Sequence, residues 1–443
     1  MKRMNNEYTE YTVPKPEFTP EMKATHTILV PMMLPIHFEM LCEVLRQEGY
    51  KVELLRTNHR QIVDEGLKSV HNDTCYPALL VIGQMMDALK SGKYDLNKVA
   101  LLITQTGGGC RASNYLSLLR KALANAGLSH VPVISINFTG LEENSGFKIS
   151  LRALVKCAFA LTYGDMIMWV RNQVRPYERH PGETQRVVEE WTRELTGQFR
   201  SPRFFFVKRN YRRILRDFAA IEQVKREPIR VGIVGEIYMK YAALGNNSLE
   251  DFLVSQGAEP VVSGVSDFML YCLRNGVFDN RLYGTNPRGK LIWRVAGGYL
   301  LSRQKQMIAA IKEHGAFRAP TAFTELEKLV EGYIGTGAKM GEGWLLTSEM
   351  LELIHSGVNN IVCTQPFGCL PNHIVAKGMI RKIKEHHPQA NIVAVDYDPG
   401  ASRINQENRI KLMLAIAHQQ AEEEKSGPPP SPAAPQEERV MAG

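Results

Sequence analysis

No two of the seven cysteines in this chain stand two or four residues apart, so the paired spacing typical of a structural zinc site is missing. The framework of a small disulfide-stapled secreted domain is missing for the same reason. No apolar stretch approaches the roughly 20 residues that span a bilayer, and the opening MKRMNNEYTEYTVPKPEF contains no apolar segment of the signal-peptide kind. No Gly-rich turn is followed by Lys and then Ser or Thr, which rules out a P-loop. These absences lead to the expectation of a cytoplasmic chain, away from membranes, whose unpaired thiols serve metal or redox chemistry in a reducing compartment.

What is present suits two hydrophobic cores: 443 residues, 44% of them hydrophobic and 23% charged. The formal net charge of +8 and the basic, aromatic run RSPRFFFVKRNYRRILR from Arg200 to Arg216 invite a nucleic-acid reading. No recognisable nucleic-acid motif accompanies the run, so it is read as a solvated helix face. A basic rim equally suits an acidic partner protein or a phosphorylated cofactor such as CoA.

Three cysteines recur in one local setting: HNDTC-YP at Cys75, TGGGC-RASNY at Cys110 and QPFGC-LPNH at Cys369. Each is expected to follow an apolar, strand-like run and a turn, and to precede a helix. A thiol at a helix N-terminus faces unpaired N–H groups that favour the thiolate, and Arg111 beside Cys110 adds to this. Three thiolates on the same edge of α/β sheets are what an iron–sulfur cluster requires. Cys42, Cys157 and Cys272 lie inside helical patterns and are read as core residues. Cys363 ends a strand, and its spacing to Cys369 leaves it open as a fourth ligand. A four-cysteine zinc site ranks second to iron because the paired spacings are missing.

The chain alternates strand-like and helix-like segments: strand 27–30, helix 36–47, strand 51–55, helix 78–89, strand 99–104, helix 115–124 and strand 133–136. This predicts a doubly wound, mostly parallel α/β sheet whose ligands collect beyond the carboxyl ends of its strands. Strand signals fade between about residues 150 and 226, and a second α/β pattern begins at Ile229. The expected division is an N-terminal arm (1–24), a first Rossmann-like domain with Cys75 and Cys110 (25–149), and a helical linker or cap (150–228). A second Rossmann-like domain with Cys369 (229–418) and a Pro-, Ser- and Glu-rich tail without order (419–443) complete it.

Other residues are candidates by position. Gly107, Gly108 and Gly109 would let the backbone approach a bulky group closely. Glu236 and Lys240 lie just past a strand and could serve a polar substrate, while an N-cap alone would account for one of Asn246 and Asn247. The stretch GTGAKMGEGW, with Glu342, reads as a covering loop or as a plain connection. His373 is either a proton donor near the Cys369 turn or a surface histidine. Asp396 and Asp398 flank a Pro-Gly turn that accounts for both.

NDTCYPALLVIGQ, TQTGGGCRASNY, GEIYMKYAALGNN, MGEGWLLTSEM, QPFGCLPNH and VDYDPGAS, in this order, resemble the 2-hydroxyacyl-CoA dehydratase and benzoyl-CoA reductase superfamily. More narrowly they are similar to the C-terminal part of the large CoA-substrate-specific enzyme activases, here as a free-standing chain. The resemblance runs from about Thr27 to Ala417. It implies a [4Fe–4S] cluster, or a double-cubane cluster as in some relatives, held between two Rossmann-like domains by Cys75, Cys110 and Cys369, with one iron open. It implies an electron from a separate ATP-dependent activase, a small substrate such as an acyl-CoA that is reduced or dehydrated, and a homo- or heterodimer. From their positions in the sequence Glu236, Lys240 and His373 are candidate catalytic residues, and Gly108, Gly109, Arg111, Asn247 and Glu342 candidate cofactor-binding residues. A non-catalytic electron-relay or assembly subunit is the alternative.

Overall fold

The computed structural model describes residues 15–105, 109–137 and 146–426. Two four-stranded sheets, each wholly parallel, form its frame. In the first, β1 (Thr27–Pro31), β2 (Lys51–Leu55), β3 (Val99–Gln105) and β4 (Val133–Asn137) are ordered β2-β1-β3-β4. In the second, β5 (Arg230–Gly235), β6 (Glu259–Val262), β7 (Asn360–Pro366) and β8 (Asn391–Tyr397) repeat that order as β6-β5-β7-β8. Strands covered on both faces must be apolar nearly throughout, and Ile28 and Leu29, or Ile361, Val362 and Cys363, are buried as consecutive residues. In each sheet the chain direction across the order reverses beside the first strand, at β1/β3 and at β5/β7. The carboxyl ends of those strands open a crevice there.

The expected division into two Rossmann-like units is observed. Phe18, in the arm, is buried, and its carbonyl accepts the Gly146 N–H at 2.8 Å, so this part of the arm belongs to the first domain. Between the two sheets in chain order come the helices Leu151–Val174, Glu183–Gln198 and Val207–Ala219, which share a core of their own around Phe159, Tyr163, Trp191 and Tyr211. The basic run is the third of these helices: Val207, Tyr211, Ile214, Leu215 and Phe218 are buried along one face, and its arginines line the other.

Three expectations need correction. Leu151–Val174 is long and apolar enough to match a bilayer's thickness, although no such stretch was expected from the sequence; its Lys156, Asp165 and Arg171 interrupt the run, and Lys156 and Asp165 are buried within the protein. The C-terminal helix Arg403–Ser426 continues past the expected tail start at 419, since AEEEK is made of strong helix formers; residues 427–443 lie outside the described residues. Cys75 follows a helix, Gln61–Ser69, rather than a strand. That helix crosses Tyr76–Lys90 so closely that a Cβ on Gly83 would run into the Ile62 carbonyl, and the crossing fixes where the Cys75 helix begins.

Candidate functional site

Each of the three recurring cysteines starts a helical turn at the carboxyl edge of the sheets. Cys75 is the N-cap of Tyr76–Lys90, with Pro77 in the first turn, and its carbonyl accepts the Ala78 N–H at 3.0 Å. Cys110 is the N-cap of the short turn Arg111–Asn114, and its sulfur accepts the Ala112 N–H at 3.5 Å. Cys369 follows β7, and its sulfur faces the Asn372 N–H. The next turn, Asn372–Ala376, is wound as a π-helix, where the Asn372 side chain donates to the Thr364 carbonyl at 2.9 Å.

Tertiary contacts bring these starts together. The Tyr76 N–H donates to the Phe367 carbonyl at 3.0 Å, tying the residue after Cys75 to the turn before Cys369. Gly368 has φ +72°, and a Cβ there would stand 3.1 Å from the Cys75 Cα and 2.9 Å from the Arg111 guanidinium. From the second domain, Met340–Gly343 reaches over Cys110: Gly109 N–H points at Met340 Sδ at 3.2 Å, and a Cβ on Gly341 would lie 3.6 Å from Cys110 Sγ. GTGAKMGEGW is therefore a covering loop, anchored by Tyr271 Oη on the Lys339 carbonyl at 2.8 Å and by the Lys339–Asp279 ion pair.

Acidic groups crowd the same crevice. Glu342 accepts the Ile237 N–H at 3.0 Å, and Glu236, directly after β5, accepts the Met239 N–H at 2.9 Å. Burial, and then the charge of Glu342, pushes the Glu236 carboxyl well above its ordinary range; burial does the same to Glu342. Burial pushes the Cys75 thiol up to about 11 against the lowering pull of Tyr115 and the Ala78 N–H, with Glu236 and Cys110 adding to the rise. Cys369 is raised further, by burial first and then by Glu342, Glu236 and Cys110. The expectation of ready thiolates is thus overturned for Cys75 and Cys369: at 5% exposure each, desolvation outweighs the helix-start N–H groups.

Tyr115 was not anticipated. It begins the helix Tyr115–Asn125, and its hydroxyl lies 3.0 Å from the Cys75 sulfur. The usable signal is its spacing, five residues after Cys110 and one turn into the same helical start.

The structure gathers Cys75, Cys110, Cys369, Gly109, Glu236 and Glu342 around one crevice, with Arg111 at its edge donating to the Asp73 carbonyl. Gly108 and Gly107 lie outside the described residues. The other candidates go elsewhere. Lys240 is buried in an ion pair with Glu349 at 2.7 Å, bridged by Ser263. Asn247 sits in a left-handed turn and donates to Gln406 at 2.8 Å, while Asn246 accepts the Leu249 N–H at 3.1 Å in the manner of a cap. The His373 side chain is exposed. Cys363 is fully buried in the apolar layer of Val234, Leu351 and Val375, its thiol against Asn372 Oδ1 at 3.5 Å. Asp398 accepts the Gly400 N–H at 2.7 Å, which is the turn role.

Among the described residues no three His, Cys, Asp or Glu side chains are drawn together as ligands of a single metal ion. Three sulfurs and two carboxylates are held near one another, the nearby Lys240 is spent on Glu349, and positive charge placed among them would reverse the rise in their pKa values. Comparison with protein-family models and with curated proteins finds no match for this chain.

Proposed function

We propose that the chain is an iron–sulfur protein of the 2-hydroxyacyl-CoA dehydratase type. It takes a low-potential electron from a separate ATP-dependent activase and reduces or dehydrates a small substrate of the acyl-CoA kind. The observation that carries this reading is the meeting of Cys75, Cys110 and Cys369, from three chain segments, at the switch-point crevices of two parallel sheets.

Cys75, Cys110 and Cys369 would hold a [4Fe–4S] cluster, or one cubane of a double-cubane cluster. When bound, the reduced cluster supplies the electron for the substrate. The chain's own residues do the rest. The Ala112 N–H donates to the Cys110 sulfur, and the Ala78 and Asn372 N–H groups favour charge on the Cys75 and Cys369 sulfurs. Met340–Gly343 covers Cys110 and limits the access of water to it. The Glu236–Glu342 pair, both raised, holds a proton beside the sulfurs, ready for an oxyanion or a leaving hydroxyl. ATP hydrolysis is assigned to the activase because the chain carries no Lys-Ser/Thr phosphate loop.

A relay subunit with Cys363 as fourth ligand is the weaker account, since Cys363 lies in the hydrophobic layer. A lone zinc ion is weaker too: its ligands must close to about 2.0–2.3 Å from one centre, and the described residues offer no such group. The test is oxygen-free reconstitution of the full chain, with iron, zinc and acid-labile sulfide counted per chain and the reduced spectrum recorded with and without acyl-CoA compounds. Iron and sulfide in equal amounts and a spectrum that shifts on adding the thioester are expected. A colourless chain, or one that takes up zinc alone, overturns the reading.

A further inference from the structure

We infer that Tyr115 is a positioning residue that donates a hydrogen bond to the Cys75 sulfur and so sets the reduction potential of the group that Cys75 binds. The inference rests on the iron–sulfur reading above and goes beyond it, because it makes the Cys75 corner different from the other two.

The geometry is specific. Tyr115 Oη and Cys75 Sγ are 3.0 Å apart, within hydrogen-bond reach of sulfur, and both side chains are buried. The ring belongs to the buried core that the two sheets share and is only 8% exposed. A phenol titrates at about 10 in its ordinary state and so carries a proton to donate at neutral pH. Once Cys75 is a metal-bound thiolate it has no hydrogen to give, and the hydroxyl is then necessarily the donor. The same short segment that delivers the Cys110 sulfur delivers this hydroxyl across to Cys75, so two sulfur positions of the first domain are braced by six consecutive residues.

Hydrogen bonds to ligating sulfur stabilise the more negative, reduced state and raise the potential. Among the described residues the groups that favour charge on the Cys110 and Cys369 sulfurs are main-chain N–H groups, which only proline would remove, whereas Tyr115 is a side chain that can be changed conservatively. The redox step is one electron in from the activase. No bond forms or breaks, and the Tyr115 proton stays on oxygen.

The experiment is a redox titration of the anaerobically reconstituted full chain, followed by electron paramagnetic resonance, with iron and sulfide counted in each sample. Tyr115→Phe is expected to shift the reduction equilibrium roughly tenfold toward the oxidised state, a midpoint about 59 mV lower for one electron. Replacing Tyr115 alone by 3-fluorotyrosine, nearly isosteric and a stronger donor, is expected to move the midpoint upward. A Phe variant with wild-type iron and sulfide and an unmoved midpoint overturns the inference while leaving the iron–sulfur reading intact. If the Phe variant binds less iron, the fluorotyrosine chain decides, and an unmoved midpoint there overturns it. A wild-type chain that takes up no iron removes the reading beneath and this inference with it.

Discussion

The two sheets share one strand order and one parallel register, yet they load their common crevice with different chemistry. The first domain contributes two sulfurs and a tyrosine hydroxyl, through Cys75, Cys110 and Tyr115. The second contributes one sulfur and two carboxylates, through Cys369, Glu236 and Glu342, together with the loop that covers Cys110. Cys110, Glu236 and Cys369 follow strands β3, β5 and β7 beside the switch points, whereas Cys75 and Glu342 come in from segments that follow helices. A shared frame therefore does not dictate shared roles. On this reading the first domain binds, while the second binds, carries a proton and closes the site.

The sharpest way to break this comparison is to remove sulfurs from each side. Cys110→Ser and Cys369→Ser are each expected to abolish iron uptake, whereas Cys363→Ala, in the same strand-and-turn segment as Cys369, keeps it. Iron and sulfide per chain check this, and loss of iron in Cys363→Ala would return that residue to the ligand set.

Lys240 offers the next largest effect, on stability rather than on the site. Lys240→Met leaves the buried Glu349 carboxylate without its partner, and a loss of about 3–5 kcal/mol is expected in denaturant unfolding. If Lys240→Met unfolds at the wild-type midpoint, the pair is not the clamp described here.

Gly368→Ala tests the seam between the halves. Its positive φ and the nearness of Cys75 and Arg111 predict a loss of about 1–3 kcal/mol, read as a lower urea midpoint. An unchanged midpoint would mean that the turn can retreat from Cys75.

The smallest effect concerns the carboxylates of the second domain. Since the folded-state pKa of Glu342 lies above its ordinary value of 4.5, the native metal-free chain holds more protons than the unfolded one above that value. Its stability therefore falls as pH rises through this window. Glu342→Gln is expected to flatten that slope above pH 4.5. Thermal unfolding of the metal-free chain at several pH values reads it, and a slope equal to wild type would contradict the assigned burial cost.

Much of this was legible residue by residue. The apolar strands Lys51–Leu55 and Glu259–Val262 begin and end where their patterns do, and the helix start at Tyr115 is announced by the turn before it, while the helix expected from 78 begins two residues earlier, at Tyr76. Other elements were hidden. Gln61–Ser69 is short and carries few apolar residues, and Val265–Tyr283 mixes polar and aromatic positions around its circumference. The run from Ile374 to Glu385 reads as one helix but is wound in three different pitches, because Asn372 is pulled onto the Thr364 carbonyl. Tyr115 looked like an ordinary first-turn residue, and Cys363 carried a spacing that suited a ligand. Neither could be placed without knowing which way its side chain points across the sheet.

By itself, then, the order of residues determined the alternation of strand and helix and the three thiols at helix starts, since both depend on local periodicity, turn chemistry and backbone preferences. Which sulfurs approach one another, that Cys363 turns into the core, that Lys240 is taken by Glu349, and that burial raises the pKa of Cys75, Cys369, Glu236 and Glu342 were decided only by the folded chain. Those outcomes depend on desolvation and on contacts between residues hundreds of positions apart, which exist only when both sheets are in place.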